Sequence, residues 1–380
     1  KTGRQEMMRN CILLSFFCLL LFSCSTTKKL TDGEVLYTGV KKMKIETPPK
    51  LKLKGPEKSA LTSPMSYPPN NPLFSPYVRS PFPIGLWVYN WHIKKEKGLK
   101  WWLYRKLAKE PVLISDVQPE LRLKMVENNM KDFGFFGLES RYEIIPRKHN
   151  PKKAKISYWV KLPDPFRYSS VDLWGWKGQM DSLVRQSMRF SLLKVGEQYD
   201  VNVLEQERQR ISDILRNRGY YYFQPQYIEF LADTTRRHGE VDLRIGLKQG
   251  IPEVAFHPYT IRNVDVSLFG NDDSSQRDTL EYDRLQMDYS PPQTLKPKIL
   301  SQAVKVRPGQ LYTARRQNRT QSGIVQLGVF KFVNLTINPV DTSYGRKLDY
   351  KISADYALPI ETEVEVDIAS KSNNLLGPGL

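Results

Sequence analysis

The chain has 380 residues, enough for two to four small domains, and 40% of them are hydrophobic, which supports folded cores but not a helical membrane protein. Lys and Arg number 58 against 40 Asp and Glu, a net charge of +18 that points to nucleic acid, anionic lipid or an acidic partner. Three cysteines, Cys11, Cys18 and Cys24, all lie at the N-terminus, so a disulfide framework in the body of the chain is excluded.

Lys1–Glu6 precede the first Met and are set aside. Met7–Asn10 is a short basic region and Cys11–Phe22 an apolar run too short to span a bilayer as a helix, the pattern of a signal peptide over residues 7–24. Leu21-Phe22-Ser23-Cys24 is similar to a bacterial lipobox, in which Cys24 is acylated and becomes the mature N-terminus. The alternative is an ordinary secretory signal that leaves Cys24 a free thiol. An exported chain does not meet genomic DNA, so the basic charge is assigned to headgroups or protein partners and not to nucleic acid.

Residues 25–35 read as a polar tether and Leu36–Glu46 as a first strand. Ten prolines between Thr47 and Pro83 exclude a regular element there. Ile84–Leu107 mixes Trp and Tyr with Lys and Arg. It reads either as an interfacial helical segment on anionic headgroups or as aromatics packed on a neighbouring domain. Residues 47–110 together form a long insertion in the first of three repeats.

Repetition is the strongest signal. The first copy, residues 25–164, has a helix with Leu123, Val126, Met130 and Phe133, then Gly134-Phe135-Phe136 and strands Arg141–Ile145 and Ala154–Leu162. The second, residues 165–250, opens with a strand, Tyr168–Trp174, followed by a helix near Gln179–Leu193 and the linker Val195-Gly196-Glu197-Gln198-Tyr199. A second helix stops at Gly219, Tyr220–Phe223 anchor the next strand, and strands Tyr227–Phe230 and Val241–Leu247 close the copy. The third, residues 251–360, opens with Ile261–Leu268 and continues through an acidic polar loop, Leu280–Met287 and a helix Leu295–Val304. The linker Pro308-Gly309-Gln310-Leu311-Tyr312 leads to a poorly amphipathic helix carrying Arg315, Arg316 and Arg319. Gly328-Val329-Phe330 and strands Phe332–Ile337 and Leu348–Tyr356 follow. Each copy is strand, helix, helix, strand, strand, an α+β unit with helices on one side of a small sheet. In residues 361–380, Val364, Val366 and Ile368 alternate with acidic residues, as in the wall of a transmembrane barrel.

Signal, repeats and closing strand together resemble the BamA/TamA-type outer-membrane assembly factors of the surface-antigen superfamily, and within it the lipidated TamA-like (TamL) branch of Bacteroidetes. The residues behind the resemblance are the lipobox at Leu21–Cys24, Glu34–Gly39 (EVLYTG), Pro69-Asn70, the linkers at Gly196 and Gly309 and the turns at Gly134, Gly219 and Gly328. It implies tandem POTRA repeats in the periplasm, lipidation at Cys24, anchoring to the outer membrane, and a barrel of which residues 361–380 are the start. It further implies edge-strand binding of unfolded outer-membrane proteins or a TamB-like periplasm-spanning partner. Two other readings stay open, a barrel-less lipid-anchored scaffold and a transporter for one dedicated exoprotein. His92, His149, His238 and His257 are scattered without metal-ligand spacing. No nucleophile motif, phosphate loop or calcium loop is present. The expectation is a non-enzyme with no metal and no cofactor.

Overall fold

In the computed structural model, residues 26–49, 51–70, 83–93, 97–269, 278–289, 295–342, 345–357, 367–370 and 376–379 are described. The chain divides into two compact units, residues 1–166 with 365–380 and residues 167–364.

The first unit holds one three-stranded sheet. Its strands are β1 (Leu36–Glu46), β2 (Glu139–Arg147) and β3 (Asn150–Lys161), in the order β1-β3-β2. β3 runs parallel to β1 and antiparallel to β2. Alternation along β3 sets the faces: Ala154, Ile156, Tyr158 and Val160 are buried, with the residues between them turned outward. Helices α1 (Gly55–Thr62), α2 (Ile84–Tyr89) and α3 (Leu99–Leu107) precede a helical turn at Ile114–Val117 and α4 (Pro119–Lys131). Leu123, Val126 and Met130 on α4 and Leu61 on α1 close over the buried face of the sheet.

Helix α1 overturns one expectation. It lies inside the proline-rich stretch read as irregular, and it supplies the first helix missing from the first repeat. Pro56 sits in its first turn, where the ring removes no helical hydrogen bond. The Glu57 carboxylate accepts the Lys54 N–H at 2.7 Å, and Leu61 has no exposed surface. A second correction concerns Lys152 and Lys153: the sequence reads Arg147–Lys153 as a basic turn between the two strands, but both lysines fall within β3.

The second unit holds two sheets. β4 (Arg167–Leu173), β5 (Ile228–Asp233) and β6 (Glu240–Leu247) form the order β4-β6-β5, with Val241, Leu243 and Ile245 buried. The helices are α5 (Gly178–Ser187) and α6 (Val201–Arg216). α5 is shorter than the expected 179–193 because the chain turns out at Ser191 to satisfy Glu207. That carboxylate is fully buried and accepts from Ser191 Oγ at 2.8 Å, the Leu192 N–H at 3.1 Å, and Arg210 Nε and Nη2 at 2.7 Å each.

The third repeat has five strands: β7 (Thr260–Phe269), β8 (Asp278–Tyr282), β9 (Leu285–Tyr289), β10 (Phe330–Thr342) and β11 (Gly345–Tyr356). Their order is β10-β11-β7-β9-β8. Its helices are α7 (Pro297–Ala303) and α8 (Ala314–Val325). Leu280–Met287 falls in a hairpin, because Asp283 and Arg284 both take left-handed conformations, φ +52° and +61°. The Asp283 carboxylate at the hairpin tip accepts from Ser301 Oγ at 2.6 Å and Arg307 Nε at 3.1 Å.

In every copy the last strand lies between the first strand, to which it is parallel, and the strand preceding it in sequence, to which it is antiparallel; the third copy adds the β8–β9 hairpin to this β-α-α-β-β plan and the first copy adds helices. The chain is α+β throughout its described residues. The turns at Gly134, Gly219 and Gly328 all have positive φ, +81°, +101° and +68°. At Gly219 the aromatic cluster divides. Tyr220 and Phe223 are buried, whereas Tyr221 and Tyr222 pack on the core of the third repeat, where Tyr221 meets Tyr312 edge-on at 5.1 Å and Tyr222 meets Tyr259 at 5.4 Å. The expectation that all four anchor their own strand is corrected accordingly. Asp367–Ser370 (β12) and Leu376–Gly379 (β13) pair antiparallel, and the rest of the expected barrel-wall strand lies outside the described residues.

Candidate functional site

The edges are β1 and β2 in the first sheet, β4 and β5 in the second, and β10 and β8 in the third. The first strand is closed at its start in the same way each time. The linker before the second helix makes an antiparallel bridge to the first strand, Leu36 with Leu113, Arg167 with Gln198 and Thr260 with Leu311. Backbone bonds confirm the match. The Tyr37 N–H donates to Val112 O at 2.9 Å, Tyr168 N–H to Glu197 O at 3.0 Å, and Ile261 N–H to Gln310 O at 2.8 Å. The Gly196 and Gly309 N–H groups return bonds to Tyr168 O at 2.7 Å and Ile261 O at 2.8 Å. The paired linker motifs thus cap the start of the first strand.

In the first repeat the Pro69-Asn70 pair strengthens the seal. Asn70 acts as a piece of backbone: its Nδ2 donates to Tyr37 O at 2.7 Å and its Oδ1 accepts the Val112 N–H at 2.5 Å. Gly39, at φ +109°, makes a bulge in β1, and a Cβ added there would sit 3.7 Å from Pro69 Cβ. In the third repeat β9 pairs in parallel with β7 and covers the rest of that edge.

The second-strand edges differ. Among the described residues no strand lies outside β2, β5 or β10. Such an edge presents a row of N–H and C=O groups able to receive another extended chain. β2 is exposed along nearly its whole length, with Tyr142 39% and Ile144 40% exposed; Leu231 on β5 and Phe332 on β10 are 46% and 63% exposed. Pro146 and Pro339 interrupt β2 and β10, where a ring that cannot donate blunts uncontrolled pairing. Beside β2, the outer face of the sheet carries a groove of about 530 Å³ lined by Lys42, Lys44, Arg141 and Trp159. The Arg141 guanidinium lies 4.4 Å from the Trp159 ring centre, and Trp159 Nε1 donates to Glu46 Oε1 at 3.0 Å.

The remaining sequence candidates are placed as follows. Cys24 lies outside the described residues. His92, His149 and His238 are exposed, and His257 Nε2 lies 2.9 Å from Glu253 Oε1. Among the described residues no group of three or more His, Cys, Asp or Glu is arranged to hold a metal. Arg236 and Arg237 stand in the β5–β6 turn beside Asp233, Asp242 and Glu240. In the Trp/Lys-rich stretch, Leu86 and Val88 of α2 are buried within their own unit. α3 buries nothing and exposes Leu99 and Trp102. No described helix is long and apolar enough to cross a membrane.

No family model and no curated protein matches the sequence. Solved structures do. POTRA domains 3–5 of BamA from Haemophilus influenzae align over 86% of this chain and 99% of that one, at 12% identity and a TM-score of 0.38. POTRA domains 1–3 of the periplasmic domain of Omp85 from Anabaena align over 87% and 98%, at 11% and 0.27. BamA from Haemophilus ducreyi lacking POTRA domains 1–3 aligns over 50% and 30%, at 14% and 0.36. All three scores fall below 0.5, and the α+β repeat architecture stands on the chain's own strand pairing.

Proposed function

We propose that this chain is the POTRA region of an outer-membrane assembly or translocation factor of the BamA/TamA type, and that its second-strand edges receive extended segments of client or partner proteins by β-augmentation. One observation supports the reading: in three successive sheets the strand before the last, β2, β5 and β10, stands at an edge with no strand beside it among the described residues, while the chain's own linker bridges the start of each first strand. An edge recurring at the same strand of each sheet is the surface that β-augmentation uses.

Energetics make the capture weak and tolerant. Each inter-strand hydrogen bond adds about 0.5–1.5 kcal/mol net, against about 1–2 kcal/mol per residue for ordering the incoming backbone. Backbone pairing alone is therefore near balance. The exposed Tyr142, Ile144, Leu231 and Phe332 supply apolar contact that favours binding without reading a sequence. Unfolded outer-membrane proteins, whose strands alternate apolar and polar residues, fit that chemistry, as does an extended TamB-like partner. In this reading residues 25–164, 165–250 and 251–360 are the three repeats. Cys24 carries the lipid that holds them to the outer membrane in the periplasm, and residues 361–380 begin a barrel.

The test is a photo-crosslinking scan of the full chain. Crosslinkable residues at Tyr142, Leu231 and Phe332, and at Leu121 on α4 as a helix-face control, are exposed to an unfolded outer-membrane barrel protein. The expected result is crosslinking at the three edges and little at position 121. Equal yields at edge and helix positions overturn edge capture.

A further inference from the structure

The second helices of the second and third repeats, α6 and α8, meet at their ends. The Arg315 N–H donates to Asn217 Oδ1 at 2.9 Å, and Arg216 Nη2 donates to Tyr312 Oη at 3.2 Å. Between the two helices lies a cleft of about 640 Å³ whose charged lining is Arg210, Asp213, Arg218, Arg315, Arg316 and Arg319. Five guanidiniums face one carboxylate.

Two of the five have partners. Arg210 is bound to the buried Glu207, and Arg316 Nη1 reaches Leu311 O at 3.4 Å. Asp213 is engaged by Gln209 Nε2 at 2.9 Å. Arg218, Arg315 and Arg319 make no ion pair among the described residues. Like charges converging on a concave surface repel.

A second observation is independent of that count. α8 has no acidic residue in its first turn and carries Arg315 and Arg316 there, against the helix dipole. Its first amides are already satisfied: the Arg316 N–H bonds to Thr313 Oγ1 at 3.2 Å and the Arg315 N–H to Asn217. The end of the helix therefore offers side chains to a ligand and not backbone. A bound anion reverses the sign of both penalties at once.

We propose that this cleft is a binding site for a phosphate-bearing anion, separate from the strand edges and independent of their role. Every cation in it is Arg, whose planar fork matches phosphate oxygens two at a time. The confined shape favours a compact, multiply charged group. An acidic peptide spreads one charge per side chain over about 3.3 Å of strand and needs a longer basic track. The phosphate belongs either to a lipid headgroup or to a small soluble molecule, and the chemistry of recognition is the same for both.

The experiment uses the full chain and inorganic pyrophosphate in isothermal titration at fixed ionic strength. Saturable one-to-one binding is expected. R315Q/R319Q weakens it by roughly ten-fold or more and R218Q by several-fold, whereas R315K/R319K retains part of it. The charge-matched control R236Q/R237Q, in a turn that carries its own carboxylates, leaves it unchanged. Thermal stability of R315Q/R319Q stays level or rises, because the change removes repulsion. Flotation with vesicles of phosphatidylcholine containing about one third phosphatidylglycerol then separates the sources. Arg-dependent flotation assigns a lipid phosphate, and pyrophosphate binding without it assigns a soluble one. The proposal fails if pyrophosphate binding is absent or indifferent to R315Q/R319Q. It fails equally if octaglutamate binds roughly ten-fold more tightly than pyrophosphate with the same Arg dependence, which would make the cleft an acidic-peptide site.

Discussion

Gly219 is the position where one added carbon should do most harm. It ends α6 at φ +101°, and a Cβ there would lie 2.8 Å from Leu311 Cδ1, 2.8 Å from Pro258 Cβ and 3.2 Å from Leu311 Cγ. Its carbonyl also accepts the Tyr259 N–H at 2.8 Å, so the residue joins the second repeat to the third. Gly328 follows α8 as Gly219 follows α6, at φ +68° with nothing within 4 Å of the added carbon. Gly328→Ala therefore meets backbone strain alone, about 1–2 kcal/mol. Gly219→Ala adds overpacking against a rigid proline, typically about 1–3 kcal/mol, for a total of about 2–5 kcal/mol. The entropy that alanine removes from the unfolded chain is common to both and cancels. Urea unfolding followed by circular dichroism reads the difference directly, because about 2 kcal/mol moves a midpoint by about 1 M. Leu311→Ala deletes two of the three close atoms, so the double variant should recover part of the loss. Equal costs at the two glycines, or no coupling to Leu311, would refute the steric account of this joint.

Three further outcomes follow from other elements. Phe332→Ser on the β10 edge should change stability by less than about 0.5 kcal/mol, since the ring is 63% exposed, yet lower crosslinking to an unfolded barrel protein; a folding defect with unchanged crosslinking would reverse that assignment. Burial pushes the Glu207 carboxyl up, but Arg210, the Leu192 N–H and the Ser191 hydroxyl together hold it below the ordinary carboxylate value. Its stabilising effect is complete above about pH 4.3 and is lost as pH falls through the lower folded value, so Glu207→Gln should flatten the acid limb of a pH series of urea midpoints. Asp265 is the opposite case. Burial, then the charges of Asp349 and Asp288, raise its pKa, and its Oδ1 is shielded without a hydrogen-bond partner. The penalty is absent at low pH and appears as pH rises through the folded pKa. Asp265→Asn should raise Tm at pH 7 and leave it unchanged below about pH 3.9, the ordinary Asp value.

Periodicity made much of this architecture legible. β1 runs over the same eleven residues that the alternation of Leu36–Glu46 marks. The two linkers with Gly and Tyr at matched positions proved to share one set of backbone bonds. The failures have physical causes. α1 is hidden because proline count is a poor guide when a Pro occupies the first turn, where it favours a helix. The β8–β9 turn has no Gly, and left-handed Asp283 is tied by tertiary bonds from Ser301 and Arg307 that no local pattern contains. α8 looked poorly amphipathic because it packs by close approach: a Cβ on Gly323 would lie 2.7 Å from Ala303 O, and Thr320 Oγ1 accepts the Lys305 N–H at 2.9 Å. Small and polar residues do there what large apolar ones do on α6. Which edge of each sheet stays open is a property of non-local pairing, and only Pro146 and Pro339 hinted at it.

Pairing the first strand of each repeat with its last has a consequence for folding order. The first contact of that kind in the first repeat joins Leu36 to Lys153, 117 residues apart; in the second it joins Arg167 to Glu240, 73 apart. Loop-closure entropy grows only with the logarithm of length, so the longer span costs about 0.4 kcal/mol more. The proline-rich insertion is thus almost neutral for equilibrium stability. Its effect is on timing. β1 leaves the ribosome first, yet its partner strand does not exist until residue 150 has been made, and until then only the start of the strand, at Leu36 and Tyr37, has a partner to meet.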